Sequence, residues 1–235
     1  MNSSSISLVR SDAVELVAKA RQVVGRSLDA IQSSANSRRF VTAVTSAAPN
    51  AHVAIGVGNR PIPGWINTDI LRTVKSFLDL SSPWPVPSNA VARIYGDNVI
   101  EHFPIDLARV VFRNCAAALG HGGRIRFATP DLERAARAYL EGSEVGREHL
   151  ARYANYHYVT EHPNDLIRML FAYEGHWQGY IYDFAALSAE LKVAGFENII
   201  RVDPGQSDDP AFKNLESRTE GTFAHMQLVV EASKI

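Results

Sequence analysis

The sequence predicts an α/β domain built on a mostly parallel sheet. Two observations carry that prediction. From Val53 onward, short apolar runs alternate with helical patterns, the order that gives strands joined by right-handed crossovers. In addition, the stretch from His52 to Asp69 runs an apolar strand into Gly56-Val-Gly58, then adds a second short strand ending in an acid. Glycines at such a turn let a ligand approach the backbone, and an acid at the tip of the next strand is placed to hold a ribose.

The elements follow in order. Residues 1 to 10 read as frayed. Asp12 and Glu15 form a capping box, and Val14, Leu16, Val17, Ala20, Val23, Val24, Leu28 and Ile31 recur at helical spacing. The helix is expected to end in Ser33 to Ser37 and to pack on the domain as an N-terminal extension, residues 1–48, ahead of the main domain, 49–235. Strands are expected at Val53–Ile55, Trp65–Ile70, Phe77–Leu80 and Val91–Tyr95. A helix from Pro104 to Leu119 is expected to stop at Gly120-His-Gly-Gly123, a glycine supplying a left-handed cap. A fifth strand covers Arg124–Ala128. Residues 131–182 read as a helical insertion or lid, with helices near 131–141, 144–158 and 164–173. A helix from Phe184 to Ala194, capped by Gly195, and strands at Ile199–Val202 and Met226–Glu231 complete the sheet.

The chain has 235 residues, 46% of them hydrophobic, and a formal net charge of -1. That suits one soluble domain with a sizeable core plus an extension. The balanced charge gives no electrostatic reason to expect nucleic acid or an anionic membrane as partner. The single cysteine, Cys115, excludes an intrachain disulfide and sits in an apolar run, so it reads as a buried core thiol. A free thiol of this kind fits a cytoplasmic, reducing setting; the first residues lack a signal-peptide pattern, and no apolar run is long enough to span a membrane. Composition says nothing of oligomeric state.

The glycine turn narrows the ligand. Only residues 57–68 separate Gly56 from Asp69, and they include Pro61, Pro63 and Gly64. A strand–helix–strand crossover needs at least about 10–12 residues for the whole connection, and the prolines disfavour a helix there. A dinucleotide site uses that helix's N-terminus for its pyrophosphate, so NAD and FAD are disfavoured. The third glycine of the dinucleotide fingerprint is missing as well, since Asn59, Arg60 and Pro61 follow Gly58. No Gly-Lys-Ser/Thr follows, which excludes a P-loop. A cofactor with ribose and adenine but no phosphate, such as S-adenosylmethionine, fits better.

At these residues the chain resembles the class I S-adenosylmethionine-dependent methyltransferases. It is most similar to a bacterial branch whose first motif reads as Gly56-Val-Gly-Asn-Arg-Pro61 and Pro63-Gly-Trp-Ile-Asn-Thr-Asp69. Three further stretches extend the likeness over roughly residues 51 to 235: Ile94 to His102, Leu119 to Asp131, and Ile181 to Phe196. The resemblance implies a Rossmann-like seven-stranded sheet with an antiparallel last strand and helices on both faces. It implies that Gly56 and Gly58, with Asn59, pass under the methionine and ribose, that Asp69 accepts from the ribose hydroxyls, and that Asp79 and Leu80 lie near the adenine. Asp97 and Asn98 would close the cofactor site and begin the acceptor site. The sequence departs from the family at Ala54, where an acid is common, and at Arg60, in the place of a third glycine. Arg60 is a candidate for the methionine carboxylate or a solvated loop residue.

Glu101 and His102, just past the fourth strand, are the catalytic candidates, because histidine is the usual base near neutral pH and a hydroxyl acceptor needs one. The alternative is that they orient a loop. His157, His162 and His176 show no compact set of partner ligands, so no metal site is expected. The aromatic residues of the insertion, Tyr153, Tyr156, Tyr158, Tyr173, Trp177, Tyr180 and Tyr182, divide between core packing and lining an acceptor pocket. The reading is a methyltransferase acting on a small polar acceptor, such as a sugar hydroxyl in surface polysaccharide or secondary biosynthesis. Its rivals are a non-catalytic partner protein of the same fold and a nucleotide-sugar enzyme.

Overall fold

Apolar residues place the strands at the centre of the molecule. In the computed structural model, which describes residues 34–71, 74–155 and 158–235, β1 (Ala51–Ile55) buries Val53, Ala54 and Ile55 completely or nearly so. β2 (Ile66–Asp69), β3 (Ser76–Phe77), β4 (Val91–Asp97), β5 (Leu119–Pro130), β6 (Phe196–Val202) and β7 (Gln227–Lys234) join it in one seven-stranded sheet of order β3-β2-β1-β4-β5-β7-β6. β1 pairs in parallel with β2 and β4, β2 with β3, and β4 with β5; β7 runs antiparallel to both β5 and β6. This is the Rossmann-like seven-stranded sheet expected from the sequence, with its last strand inserted antiparallel. Parallel neighbours require crossovers; α2 (Ile105–Ala118) supplies the one from β4 to β5, and α6 (Phe184–Val193) leads into β6 at the sheet edge.

One core cluster unites sheet and helices. Phe40 and Val44 of α1 (34–47), Val111, Phe112 and Cys115 of α2, and Leu187 and Leu191 of α6 pack with Val53, Ile94, Ile125 and Phe127 of the strands. Cys115 is fully buried, as expected of a core thiol, and burial pushes its pKa up. A second, smaller cluster forms where α3 (Leu132–Glu141) and α5 (Asp165–Ala172) meet: Ala135, Ala138, Leu166, Leu170, Ile181 and Met226. α4 (Glu144–Ala154) packs beside it, capped by Ser143, whose hydroxyl accepts from the Gly146 N–H at 3.2 Å. Among the described residues, no helix is long and apolar enough to cross a membrane.

Several elements differ from the sequence expectation. The helix expected to end within Ser33 to Ser37 gives way to a helical stretch over 34–47, held by Phe40 and Val44 in the core and by Asn36 donating to the Val74 carbonyl at 3.1 Å. The capping box at Asp12 and the stripe from Val14 to Ile31 lie outside the described residues, as do Tyr156 and His157. α2 does not end on a glycine cap: Leu119 leaves it extended and pairs at once with Val91. Val91 faces Leu119 and Arg93 faces Arg124, so the glycine-rich residues between bulge out of the ladder. Gly195 does cap α6, at φ 92°.

The sheet also carries a buried ion network. Arg126 on β5 faces Glu231 on β7 across the antiparallel pair, and both are fully buried. Its guanidinium bonds Glu231, Glu216 at 2.5 Å and the Gln206 carbonyl at 2.8 Å. Glu216 in turn accepts from the Gly205 N–H at 2.7 Å. Arg124, two residues back on the same face, bonds Glu231 at 2.5 Å and Asp208 at 2.7 Å, while Arg93 on β4 pairs with Asp209. These cations tie the long β6–β7 connection down over the sheet. Removing one partner of such a pair strands a buried charge. Arg126→Met is therefore expected to lower unfolding free energy by roughly 3–5 kcal/mol, measured by urea denaturation. A loss under about 1 kcal/mol, the scale of an exposed pair, would show that the network does not hold the loop.

Candidate functional site

The carboxyl ends of the parallel strands gather most of the candidate residues. After β1 the chain turns through Gly56 and Gly58, both in the left-handed region at φ 60° and 53°. No helix separates β1 from β2, as the prolines require. Gly56 must lack a side chain because a Cβ there would stand 2.3 Å from Val99 Cγ2. At Gly58 a Cβ would meet open space, so the backbone there is accessible. Asp69, at the end of β2, accepts from the Gly58 N–H at 2.8 Å and from the Leu71 N–H at 3.0 Å. It sets the shape of the glycine turn from behind. Each carboxylate oxygen retains a further acceptor site.

Three cavities open beside this turn: one of about 940 Å³, lined by Val57, Gly58, Asn59 and Pro61 together with Ile66 and Asn67 of β2 and Ser76 of β3, and two that adjoin one another. The smaller of this adjoining pair, about 330 Å³, is lined by Ile55, Gly56, Val57, Gly58, Asn59, Arg60, Ile62, Tyr95, Asp97, Asn98, Leu215, Ser217 and Arg218. The larger of the pair, about 490 Å³, is lined by Arg60, Asn98, Pro130, Arg152, Tyr153, Met169, Leu170, His176, Ser217, Arg218, Thr219, Glu220 and Phe223. They share Arg60, Asn98, Ser217 and Arg218. Gly56, Gly58, Asn59, Asp97 and Asn98 of the sequence candidates thus border the smaller cavity. Asp69, Asp79 and Leu80 border neither. Asp79 is turned inward by an Asx turn, accepting from the Ser81 N–H at 2.9 Å, the Ser81 hydroxyl at 2.7 Å and the Ser82 hydroxyl at 2.8 Å. Burial raises its carboxyl, but these bonds outweigh it and hold the pKa below the ordinary value. Leu80 belongs to the core, and Asn114 fastens the segment by donating to its carbonyl at 3.0 Å.

Asp97 ends β4 between the cavities' walls. Its carboxylate accepts from Gln227 Nε2 at 3.1 Å and, more loosely, from the Ser217 N–H and hydroxyl at 3.4 Å. Burial raises its pKa, against the nearby Arg218 charge and the Ser217 N–H. Asn98 follows at φ 53°, its own N–H bonded to the Ala128 carbonyl at 2.8 Å. The β6–β7 connection, through residues 215–223, is the wall that sequence reasoning missed. Only the charge complement between Arg124-Ile-Arg126 and the acids Asp208, Asp209 and Glu216 could have signalled it.

Beyond Asn98, the helical turn Ile100–His102 carries Glu101 and His102. Glu101 is fully buried; its Oε2 accepts from the Thr129 hydroxyl at 3.1 Å. Burial pushes its carboxyl up to about 8, only partly offset by hydrogen bonds, so it carries its proton at neutral pH. His176, from the turn Tyr173–Gln178, packs its ring against His102, centroids 4.6 Å apart. This approach depends on Gly179, where a Cβ would lie 1.7 Å from the Glu101 carbonyl oxygen. Glu101 and His102 border neither cavity; His176 beside them borders the larger.

No family model matches the chain, and no curated protein matches it. Solved structures of similar fold include two methyltransferases and a protein with S-adenosylhomocysteine. One is the DszA carbon methyltransferase, at 13% identity and TM-score 0.38 over 67% of this chain and 32% of that one. A second is PigF with S-adenosylhomocysteine, at 15% identity and TM-score 0.45 over 83% and 64%. The third is an S-adenosylmethionine-dependent methyltransferase of Thermotoga maritima, at 17% identity and TM-score 0.49 over 92% and 97%. The chain thus spans about a third of the first and less than two thirds of the second. The strand order and the two adjoining cavities of this chain, rather than these likenesses, bear on its chemistry.

Behind the larger cavity, His149 of α4 is buried, bonded through Nδ1 to the Thr222 hydroxyl at 3.2 Å, its ring edge-on to Tyr153 and Phe223. Burial, then the charges of Arg152, Arg218 and His225, lower its pKa to about 4. The folded protein therefore binds this proton less readily than the unfolded chain. His149 contributes fully to stability above its unfolded value of about 6.5, and the contribution is lost as pH falls from there toward 4. Stability at pH 5 is expected to fall by roughly 2 kcal/mol relative to pH 7 from this group. Denaturation curves of the protein and of His149→Gln should differ in slope over that window; parallel curves would remove the assignment.

Proposed function

We propose that the protein is an S-adenosylmethionine-dependent methyltransferase acting on a small polar acceptor. The observation that carries the reading is the pair of adjoining cavities at the carboxyl ends of the parallel strands, joined through Arg60, Asn98, Ser217 and Arg218. The smaller fits the cofactor: bare backbone at Gly58, a half-buried acid at Asp97, and no helix dipole aimed at a phosphate. Gly56, Gly58, Asn59, Asp97 and Asn98 would hold it, with Asp69 shaping the turn and offering acceptor sites to the ribose. Asp79 and Leu80 would support the adenine end through the segment that they anchor. When bound, S-adenosylmethionine supplies an electrophilic methyl on a sulfonium.

The chain's own work is positioning. The larger cavity offers the guanidinium groups of Arg60, Arg152 and Arg218 beside Tyr153, Phe223 and Met169. That combination suits an acceptor with an apolar body and a polar or anionic edge, including a sugar derivative. Residues 131–182 supply one wall and residues 217–223 the other. Holding acceptor and donor in line converts a bimolecular step into an effectively intramolecular one. Glu101 and His102 are the acid–base pair of this reading, reaching the acceptor through His176.

Isothermal titration with S-adenosylmethionine and S-adenosylhomocysteine, with NAD and a nucleotide sugar as controls, tests the reading. Micromolar binding of the first two alone is expected, and Asp69→Ala should weaken it at least tenfold, about 1.4 kcal/mol. Binding of NAD or the nucleotide sugar instead would overturn the reading. Unchanged affinity in Asp69→Ala would remove Asp69 from the site.

A further inference from the structure

The sequence offers no compact ligand set because His176 lies far from Glu101 and His102 in the chain. The fold brings them together: one donor atom each from Glu101, His102 and His176 lie within 4.8 Å of one another. The Glu101 carboxyl is fully buried, and its Oε1 has no hydrogen-bond partner. That atom faces His176 Nε2 at 4.0 Å, too far for a hydrogen bond. An orphaned carboxyl oxygen in a buried site is costly unless something meets it.

The surroundings orient the ligands. The Leu170 carbonyl lies 2.8 Å from His176 Nδ1. A carbonyl only accepts, so Nδ1 donates and Nε2 is directed at Glu101. The Thr129 hydroxyl fixes Glu101 through Oε2 and leaves Oε1 facing the histidines. Such outer partners are what orient histidine and carboxylate ligands around a metal. With metal–ligand bonds of about 2.0–2.2 Å, donor atoms of one shell stand roughly 3–4 Å apart. Small side-chain rotations close the observed spacing to that range.

We propose that Glu101, His102 and His176 form a binding site for a divalent first-row transition metal, with an open coordination position toward the larger cavity. With the Glu101 proton released to solvent as the metal binds, two imidazoles and one carboxylate suit zinc, cobalt or manganese better than magnesium or calcium, which favour all-oxygen shells. Three protein ligands leave room for another molecule, the pattern of a working rather than a closed site. His176 borders the larger cavity, so that position faces the proposed acceptor. Glu101 and His102 then act through a cation instead of as a free acid and base. This role for the acceptor rests on the methyltransferase reading; the site itself does not.

The test uses the untagged full chain, stripped with a chelator and dialysed, then titrated calorimetrically with Zn²⁺, Co²⁺, Mn²⁺ or Mg²⁺ alone. Visible absorption of the Co²⁺ form reports the coordination number and separates a protein-bound ion from the octahedral aqua ion. One transition-metal ion per chain at micromolar affinity or tighter is expected, with Mg²⁺ at least 100-fold weaker. His176→Ala and Glu101→Gln should each weaken binding at least tenfold, and His121→Ala should not. Circular dichroism confirms that each variant is folded; were Glu101→Gln to unfold, His176→Ala and His102→Ala decide. No binding, a preference for Mg²⁺, or affinity indifferent to His176→Ala and His102→Ala would overturn the proposal. S-adenosylhomocysteine binding by the metal-free chain, measured separately, distinguishes failure of the metal site from failure of the methyltransferase reading.

Discussion

The buried pairing of Arg126 with Glu231 and Glu216 is the constraint on which the site geometry depends. A guanidinium inside a sheet is tolerable only when its donors are met, and here Glu231, Glu216 and the Gln206 carbonyl meet them. Two of these partners lie in the β6–β7 connection, so the connection must fold back over the sheet for the strand to be stable. Its next residues, Ser217 and Arg218, then enter the wall between the two cavities. An electrostatic debt incurred in the core thus fixes the surface that a ligand would meet. Hydrophobic residues in place of the network could stabilise the sheet equally well, but they would not specify where the connection lies.

The glycine turn shows a second kind of control, exerted by what is missing. A helix after β1 would have filled the space beside Gly58 and presented its N-terminus to a phosphate. Pro61 and Pro63 prevent it, and Asn67 holds the resulting loop by bonding both the Ile62 N–H at 2.7 Å and the Ile62 carbonyl at 2.9 Å. Asp69 completes the arrangement by gripping the Gly58 N–H. The acid therefore has a structural duty whatever ligand it meets, and both readings of it rest on the same carboxylate.

Much of the fold was legible in the chain. The alternation of short apolar runs with helical stripes located β1, β4, β5 and α2, because burial on a sheet and on a helix face leaves different periods in sequence. The ends were less legible. β5 begins at Leu119 rather than Arg124 because the glycine-rich stretch bulges instead of capping the helix, a choice made by pairing with Val91. Ser33 to Ser37 read as a helix end on propensity alone, yet residues 34–47 are helical because Phe40 and Val44 reach the core. Propensity is a weak prior that tertiary burial overrides.

By itself, the sequence determined the alternation of strands and helices and the helix-free turn through Gly56 and Gly58; Asn59, Asp97 and Asn98, which border the smaller cavity with them, came from the family resemblance. These are local, since φ freedom at glycine, φ restriction at proline and the position of a residue at a strand end depend on near neighbours. Only the tertiary structure decided that Asp79 turns into its own loop, that residues 215–223 close the cavities, and that His176 meets Glu101 and His102. Those outcomes require segments distant in the chain to touch. Contact across such distances is set by the half-buried charge of Arg124, the buried charge of Arg126 and the close approach at Gly179, which no local pattern records.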